Sequence, residues 1–161
     1  FEGGTVYQGY LDPWCYHQWH APVGGVVEHS YRVPGAFFLQ SPGLALDRAN
    51  NYDDSQPFLA SSATRHVFVI DTRNPAIGRV AVVEVGMVEV SSCVAAVAEG
   101  DTVVKGQRIG RFELGGSSHV LIFEPRARLE FSPRLALRET KNGLLHSTRQ
   151  NVNSLLAKVV I

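Results

Sequence analysis

The chain has 161 residues, 45% of them hydrophobic and 19% charged, and its 15 Lys and Arg balance its 15 Asp and Glu. This length is enough for one domain with a core of its own. The zero net charge excludes a global field that would draw the chain to nucleic acid or to an anionic membrane. No apolar stretch approaches the roughly 20 residues that a membrane-spanning helix needs, so we expect no membrane span.

The two cysteines, Cys15 and Cys93, form no CxxC pair and are too few for a disulfide framework. Reduced thiols in a cytoplasmic protein are the simpler interpretation, and one disulfide between them is the alternative. The chain begins at Phe1 without an initiator Met or a signal-like segment. We therefore expect residues 1–161 to be a single domain of a cytoplasmic protein, lacking its N-terminal part.

Short runs separated by turn residues fill the first third of the chain. Three of them read as strands: residues 1–12, 26–33 and 36–40. Asp12-Pro13 and Pro34-Gly35 interrupt these runs, because proline removes a ladder donor and restricts the residue before it. Residues 41–62 are rich in Pro, Gly, Asn and Asp and predict a long functional loop, with one helical turn allowed at 44–49.

The strongest strand candidates lie at residues 65–72, 78–85 and 87–97. Val80-Ala81-Val82-Val83 is nearly continuous in apolar residues, which suits a strand buried on both faces. Short β-branched strands of this kind predict an all-β fold, mainly β with minor helix, rather than α/β. Near the end, residues 147–158 carry an apolar face and predict a terminal helix.

A turn pattern in Glu99-Gly100-Asp101 and Lys105-Gly106 resembles the half-repeat of barrel-sandwich hybrid domains, the architecture of lipoyl and biotinyl carriers. The resemblance implies a barrel-sandwich-hybrid-like β-sandwich. It also leaves open a non-enzymatic carrier or binding module with Lys105 in its hairpin. Lys105 lacks the neighbouring Met that is typical of a carrier's modified lysine.

Leu114-Gly115-Gly116-Ser117-Ser118-His119 lies between two runs that read as strands. One interpretation is a hairpin turn, since Gly and Ser are ordinary turn residues. The other is chemical. A serine Oγ lies close to the carbonyl carbon of the preceding residue, so Ser117 could attack Gly116, whose missing side chain permits strained backbone angles.

Two histidines three residues apart form a second candidate site in Tyr16-His17-Gln18-Trp19-His20-Ala21-Pro22. A neutral histidine is a usual general base near pH 7. Either histidine could instead cap a turn or stack on Trp19. The arrangement gains weight only with a reacting group such as Ser117 elsewhere in the chain.

Together these stretches resemble the phosphatidylserine decarboxylase family over residues 1 to about 125. The matching motifs are His17-x-x-His20-x-Pro22, Val85-Gly86-Met87, Gly115-Gly116-Ser117-Ser118 and Phe123-Glu124-Pro125. The resemblance implies that residues 1–161 are the single catalytic domain of a decarboxylase proenzyme. Members of the family cleave themselves at a Gly–Ser bond and convert the serine into a pyruvoyl group.

Carried onto this chain, the resemblance implies self-cleavage between Gly116 and Ser117, with a covalent pyruvoyl cofactor derived from Ser117 and no metal. The ketone would form a Schiff base with the substrate amine and accept the electrons released as CO₂ leaves. His20 is the implied general base, and His17 the residue for substrate binding or proton return. The residues expected to bind the substrate are Tyr16, Trp19, Ser118 and His119.

One departure concerns the base. The family's processing triad includes an aspartate that would lie before Phe1, and none of the aspartates of this chain stands in that motif's context. We therefore expect the carboxylate that orients the His20 imidazole to come from outside residues 1–161.

The Gly-Gly-Ser-Ser form, with Val85-Gly86-Met87-Val88-Glu89 upstream, resembles the soluble branch that decarboxylates free aromatic amino acids such as L-tryptophan. Phosphatidylserine enzymes more often have Gly-Ser-Thr, and Asn where Glu89 stands. The alternative substrate is phosphatidylserine, giving phosphatidylethanolamine. The expected partners are a small amino acid, the N-terminal segment of the same proenzyme and, in a homo-oligomer, further copies of the chain.

Overall fold

The computed structural model describes residues 1–11, 15–37, 56–86, 92–113, 117–135, 138–139, 145–146 and 154–160. The strands in chain order are β1 (Thr5–Leu11), β2 (Gln18–His20), β3 (Gly25–Val33), β4 (Arg65–Asp71), β5 (Arg79–Gly86), β6 (Cys93–Ala95), β7 (Thr102–Val103), β8 (Arg108–Phe112), β9 (Ser117–Phe123), β10 (Leu129–Phe131), β11 (Arg138–Glu139), β12 (Leu145–His146) and β13 (Ala157–Val159). Helix α1 spans Gln56–Ser62, and a 3₁₀ turn spans Pro133–Leu135.

Six strands form one antiparallel sheet in the order β1-β9-β5-β4-β3-β7. Two of its interior strands, β5 and β9, carry apolar side chains on both faces, which explains the continuous apolar run in β5. Strand β9 is paired on both sides along its whole length, with β1 and with β5. The residue that starts β9 is therefore held in the interior of the sheet.

A second sheet of three strands, in the order β2-β8-β6, packs over the first. The main core lies between the two layers, because Trp19 and Phe112 of the small sheet join Phe68, Val82 and Leu121 of the large one in a single buried cluster. The opposite face of the large sheet is covered by α1 and its flanking residue Ala63, in a smaller cluster with Val85 and Val120. The result is a two-layered β-sandwich with one short helix.

The sequence-based prediction of a mainly β, sandwich-like fold is confirmed. The strands predicted at 65–72 and 78–85 are β4 and β5. In the predicted strand 87–97, Cys93–Ala95 is β6, and residues 87–91 lie outside the described part of the chain. The strand predicted at 36–40 is reduced, in its described part, to a single bridge between Ala36 and Ala63.

Two predictions are wrong where the structure describes them. The long loop predicted at 41–62 ends in helix α1, while residues 41–55, with the helical turn at 44–49, lie outside the described residues. The terminal helix predicted at 147–158 gives way to strand β13. Ala157 and Val159 are half-buried, with exposed Lys158 between them. Burial therefore alternates with the two-residue period of a strand, and the segment pairs with β10. Within the described residues, the structure contains no helix long and apolar enough to cross a bilayer.

Candidate functional site

Ser117 is the first residue of β9 and is fully buried. Its register partners are Leu11 at the end of β1 and Gly86 at the end of β5. Its Oγ has no hydrogen-bond partner among the residues that the structure describes. Buried hydroxyls are normally hydrogen-bonded, so an uncommitted one marks either a strained or a reactive position. Leu114, Gly115 and Gly116 lie outside the described residues.

Ser118 is also fully buried, but its side chain points to the opposite face of the sheet. Its Oγ accepts a hydrogen bond of 2.9 Å from Gln8 Nε2, and the same amide nitrogen donates to the carbonyl of Gln56 at the start of α1. Ser118 therefore helps to hold α1 against the sheet. This contact places it on the far side of β9 from the inter-sheet core.

His119 follows on the same face as Ser117, because alternate residues of a strand share a face. Glu84 of β5 lies directly opposite it in the register, and His119 Nδ1 and Glu84 Oε1 are 2.6 Å apart. A carboxylate can only accept, so Nδ1 carries the proton and Nε2 remains available as an acceptor. The Glu84 side chain is completely buried, whereas that of His119 is 24% exposed.

Two opposing effects set the pKa of His119. Burial lowers it by penalising the imidazolium, but the Glu84 carboxylate beside the ring outweighs burial and holds the pKa above its ordinary value. Glu84 also affects Cys93, whose Sγ donates to the Glu84 carbonyl oxygen at 3.6 Å. Burial first, and the Glu84 charge second, raise the pKa of Cys93 to about 11, so this thiol stays protonated at neutral pH.

His66 of β4 lies opposite Glu84 on the other side of β5. Its Nε2 and Ser30 Oγ are 3.1 Å apart, and its ring is 4.5 Å from that of Phe68. Burial, followed by the charge of Arg32, lowers the pKa of His66 and favours the neutral ring. Glu84 thus lies between two histidines, of which only His119 is hydrogen-bonded to it within the described structure.

His17 and Trp19 reach the inter-sheet core from the small sheet. Trp19 is 2% exposed, and its ring packs edge-on against Phe112 at 4.8 Å. The His17 ring contacts Phe112 at 6.1 Å, and its carbonyl accepts a hydrogen bond from the Phe112 amide. His17 is therefore at the end of β8 that leads toward Ser117. Trp19 Nε1 and His17 Nε2 are buried and have no partner among the described residues.

His20 and Tyr16 occupy a different place. The His20 ring lies between two partners, with Nδ1 2.7 Å from the Gly106 carbonyl oxygen and Nε2 2.7 Å from Tyr16 Oη. A carbonyl only accepts, so Nδ1 donates to Gly106 and Nε2 accepts a hydrogen bond from the Tyr16 hydroxyl. His20 pairs with Arg108 at the start of β8, and that strand is roughly 13 Å long at 3.3 Å per residue.

Of the predicted site residues, Ser117 and His119 thus lie on the core-facing side of β9, His17 contacts Phe112 at the end of β8, and Trp19 is packed within the inter-sheet core. Ser118 faces α1, and His20 with Tyr16 lies at the other end of β8. Sequence analysis missed Glu84. The available signal was a single charged residue inside the apolar run of β5, since a buried carboxylate requires a partner.

Within the described ranges, no group of three or more His, Cys, Asp or Glu side chains is placed to hold a metal ion. Four buried polar atoms without a partner in that same part of the chain come from residues that line the inter-sheet core: Ser117 Oγ, Glu84 Oε2, His17 Nε2 and Trp19 Nε1. Unsatisfied polar atoms are costly inside a protein, so their concentration here indicates a functional site.

Comparison with known proteins identifies the family of the chain. A family model described as phosphatidylserine decarboxylase matches residues 1–141. The decarboxylase iboD of Amanita muscaria is 37% identical over 99% of this chain, which spans 46% of that relative. The L-tryptophan decarboxylase of Psilocybe cubensis is 39% identical over 81% of this chain and 31% of its own length. Phosphatidylserine decarboxylase proenzyme 3 of Schizosaccharomyces pombe is 29% identical over 78% of this chain and 12% of its own length. The chain thus spans less than half the length of these relatives.

Proposed function

Since the chain belongs to the phosphatidylserine decarboxylase family, we propose that it is the self-processing and catalytic region of a pyruvoyl-dependent decarboxylase. Ser117 is the residue on which this proposal depends. It is completely buried, it begins a strand that is paired on both sides, and its hydroxyl is uncommitted in the described structure. If a buried serine has only a structural role, we expect its hydroxyl to form a hydrogen bond, as that of Ser118 does.

In the proposed processing reaction, Ser117 Oγ attacks the carbonyl carbon of Gly116. The C–N bond breaks and an ester forms, and loss of the Cα proton of Ser117 then eliminates this ester, leaving a carboxylate on Gly116 and dehydroalanine at position 117. Water adds to the dehydroalanine and ammonia leaves, which gives the ketone. By resemblance to the family, His20 is the proposed general base and His17 the residue for substrate binding or proton return. The uncommitted Oγ of Ser117 fits a precursor of the pyruvoyl group. Once formed, that group supplies an electron sink for the departing CO₂.

The chain's own residues would shape the environment of that group. Ser117 is held by register pairs to Leu11 and Gly86, so the new terminus stays fixed in the sheet. On the same face of the large sheet, Trp19, Phe112 and Phe68 pack together in the buried inter-sheet core. Electrostatic interactions are stronger in a core that excludes water, and this includes the contact of the buried Glu84 carboxylate with His119.

We propose a free aromatic L-amino acid such as tryptophan as the substrate, decarboxylated to its amine. This rests on the relatives that are named L-tryptophan decarboxylases, which match at 38–39% identity, whereas phosphatidylserine decarboxylase proenzymes match at 29–33%. Phosphatidylserine is the second candidate, favoured by the description of the matching family model. Tyr16, Trp19, Ser118 and His119 remain the proposed substrate-binding residues, and a cytoplasmic homo-oligomer remains a prediction.

The test is made on the full-length proenzyme. Its mass spectrum should show two fragments separated between Gly116 and Ser117, and the C-terminal one should carry a ketone that borohydride reduces. Ser117→Ala should remain a single chain. Ser118→Ala, which loses a hydrogen bond on the other face of β9, should still be cut. Cleavage of Ser117→Ala at the same bond would refute the proposal.

The substrate is decided separately, by measuring CO₂ release from tryptophan and from phosphatidylserine vesicles side by side. The aromatic amino acid should be turned over at least tenfold faster. A non-catalytic carrier, the remaining alternative, would stay whole and release no CO₂ from either compound.

A further inference from the structure

A cleft at the opposite end of the large sheet from Ser117 has no part in the proposed reaction. Its volume is about 370 Å³, which is enough for a small ligand. Arg79, which lines the cleft, starts β5, and Gly86, the register partner of Ser117, ends that strand. Residues 79 and 86 are seven positions apart, so the cleft lies about 23 Å from Ser117. The charged residues that line it are Glu28, Asp71, Arg73, Arg79 and Arg126.

Glu124 organises the basic side of the cleft. Its carboxylate pairs with Arg79 Nε at 2.9 Å and with Arg126 Nη2 at 2.6 Å. Gly78 leaves the space that this arrangement needs, because a Cβ there would lie 2.7 Å from Arg126 Nε. A guanidinium group has five N–H donors, so Arg126 keeps donors for a further anion after it has bound Glu124.

Arg73 adds a third cation, from the hairpin that joins β4 to β5. Its exposed side chain forms no hydrogen bond or ion pair with any other residue that the structure describes. Its backbone has a φ of 55°, and its N–H donates to Asp71 Oδ1 at 2.9 Å. Thr72 Oγ1 and the Gly78 amide close the hairpin with further hydrogen bonds of 2.7 and 2.8 Å. The base of the Arg73 side chain is therefore fixed, which lowers the entropy cost of binding a ligand there.

Glu28 and Asp71 form the acidic side of the cleft. The Glu28 carboxylate accepts no hydrogen bond in the described part of the chain, since Arg79 Nη1 is 3.6 Å from its Oε2. Asp71 uses Oδ1 for the Arg73 amide and leaves its other oxygen as an acceptor. Both carboxylates can therefore accept hydrogen bonds from an ammonium group.

The separation of the two sides suits a small zwitterion. Asp71 ends β4 and Arg126 follows β9, with β5 between these strands, so their backbones are two strand spacings or roughly 10 Å apart. An α-amino acid that forms a hydrogen bond of about 2.9 Å at each end spans about 9 Å. Three arginines face three carboxylates, counting Glu124, so the formal charge of the cleft is balanced. A balanced site with separated positive and negative sides favours a zwitterion over a simple anion or cation.

We propose that this cleft binds a free α-amino acid with a small side chain. The ligand carboxylate lies against Arg73 and Arg126, and its ammonium group lies against Glu28 and Asp71. The described lining contains no aromatic side chain, so the cleft gives an aromatic amino acid no ring to pack on. It would be a second amino-acid site, remote from Ser117, at which no bond is made or broken.

The experiment measures equilibrium dialysis of radiolabelled L-alanine against the full-length Ser117→Ala proenzyme, which is expected to lack the ketone that an amine could attack. We expect one saturable site per chain. Arg73→Ala and Glu28→Gln should each weaken binding at least about tenfold, because each removes a hydrogen bond between charged groups. L-Lactate lacks the ammonium group and ethylamine lacks the carboxylate, so both should compete at least about tenfold more weakly than unlabelled L-alanine.

Arg128→Ala and Glu130→Gln are matched controls, because they make the same changes of charge at exposed residues outside the cleft. Both should bind L-alanine like the parent protein, and circular dichroism should show every variant folded. The proposal is refuted if no saturable site is found, or if Arg73→Ala and Glu28→Gln bind no more weakly than the two controls. Competition by L-lactate or ethylamine equal to that by L-alanine would also overturn it. None of these results bears on cleavage at Ser117, so the proposed function is tested separately.

Discussion

Gly110 of β8 is the position at which a single methyl group should disturb the site most. A Cβ built there lies 2.2 Å from Cε3 and 2.5 Å from Cζ3 of Trp19, and 2.7 Å from the carbonyl oxygen of Val94. Trp19 is the register partner of Gly110, so its ring lies directly over the glycine. We predict that Gly110→Ala destabilises the domain and displaces the segment that carries both motif histidines.

The magnitude follows from the space available. The Trp19 ring must retreat by about 1.2 Å to reach an ordinary contact of 3.4 Å, but it is 2% exposed and closed in by Phe112 and Phe68. Overpacking of a filled core costs about 1–3 kcal/mol, and a rigid ring with backbone on the other side belongs at the upper end. We expect a loss of about 3 kcal/mol in the free energy of unfolding. For a domain of this size that corresponds to a fall in Tm of roughly 6–12 °C.

The assay is denaturant unfolding of the Ser117→Ala proenzyme, which is expected to remain a single chain, monitored by far-UV circular dichroism so that variants lacking Trp19 give the same signal. Gly106→Ala is the matched control: its φ of 83° is strained for alanine, yet no atom lies within 4 Å of the added Cβ. That variant should lose about 1–2 kcal/mol through backbone strain alone. Adding Trp19→Leu to Gly110→Ala should cost less than the two changes summed, because the double variant relieves the clash. A Gly110→Ala loss no larger than that of Gly106→Ala, or strict additivity with Trp19→Leu, would refute the packing argument.

Two further predictions concern ionisable groups away from Trp19. Because its pKa is raised to about 11, half-buried Cys93 should react with iodoacetamide at pH 8 at least tenfold more slowly than exposed Cys15. Mass spectrometry should show a fast phase of alkylation that Cys15→Ser abolishes. Equal rates for the two cysteines would contradict this prediction. Arg79, whose Nε lies 2.9 Å from Glu124 Oε1, and Arg126, 2.6 Å from Oε2, lower the pKa of Glu124 through hydrogen bonds and charge. The stabilising effect of Glu124 is therefore present above the ordinary pKa of 4.5 and is lost as pH falls through the lowered value. Glu124→Gln should therefore lower Tm at pH 7, and the difference from wild type should disappear as pH falls through the lowered pKa of Glu124. Exposed Glu130→Gln should change Tm little at either pH.

The long strands could be predicted because their apolar residues follow a period of two or fill both faces, as in β4 and β5. Short elements could not. Strand β2 has three residues, and it exists because Trp19 packs onto Gly110, a contact between positions 91 residues apart. At the end of the chain, β13 depends on pairing with β10, which outweighs a helical pattern in the sequence.

The candidate site was predictable only in part for the same reason. Ser117 belongs to a local motif, so it could be singled out directly. The Glu84–His119 pair joins positions 35 residues apart and depends on the register of β5 against β9. A shift of one residue in that register would turn Glu84 away from the core, and no local pattern fixes the register.

The double pairing of β9 also determines what happens once its first peptide bond is broken. Cleavage before Ser117 would make β9 the N-terminal segment of the C-terminal fragment, and β9 would remain paired between β1 and β5 of the N-terminal fragment. Seven register pairs bind it on either side, and its apolar side chains are interleaved with those of both neighbours. The two products would therefore remain associated as one folded domain, and breaking the peptide bond would leave the fold unchanged.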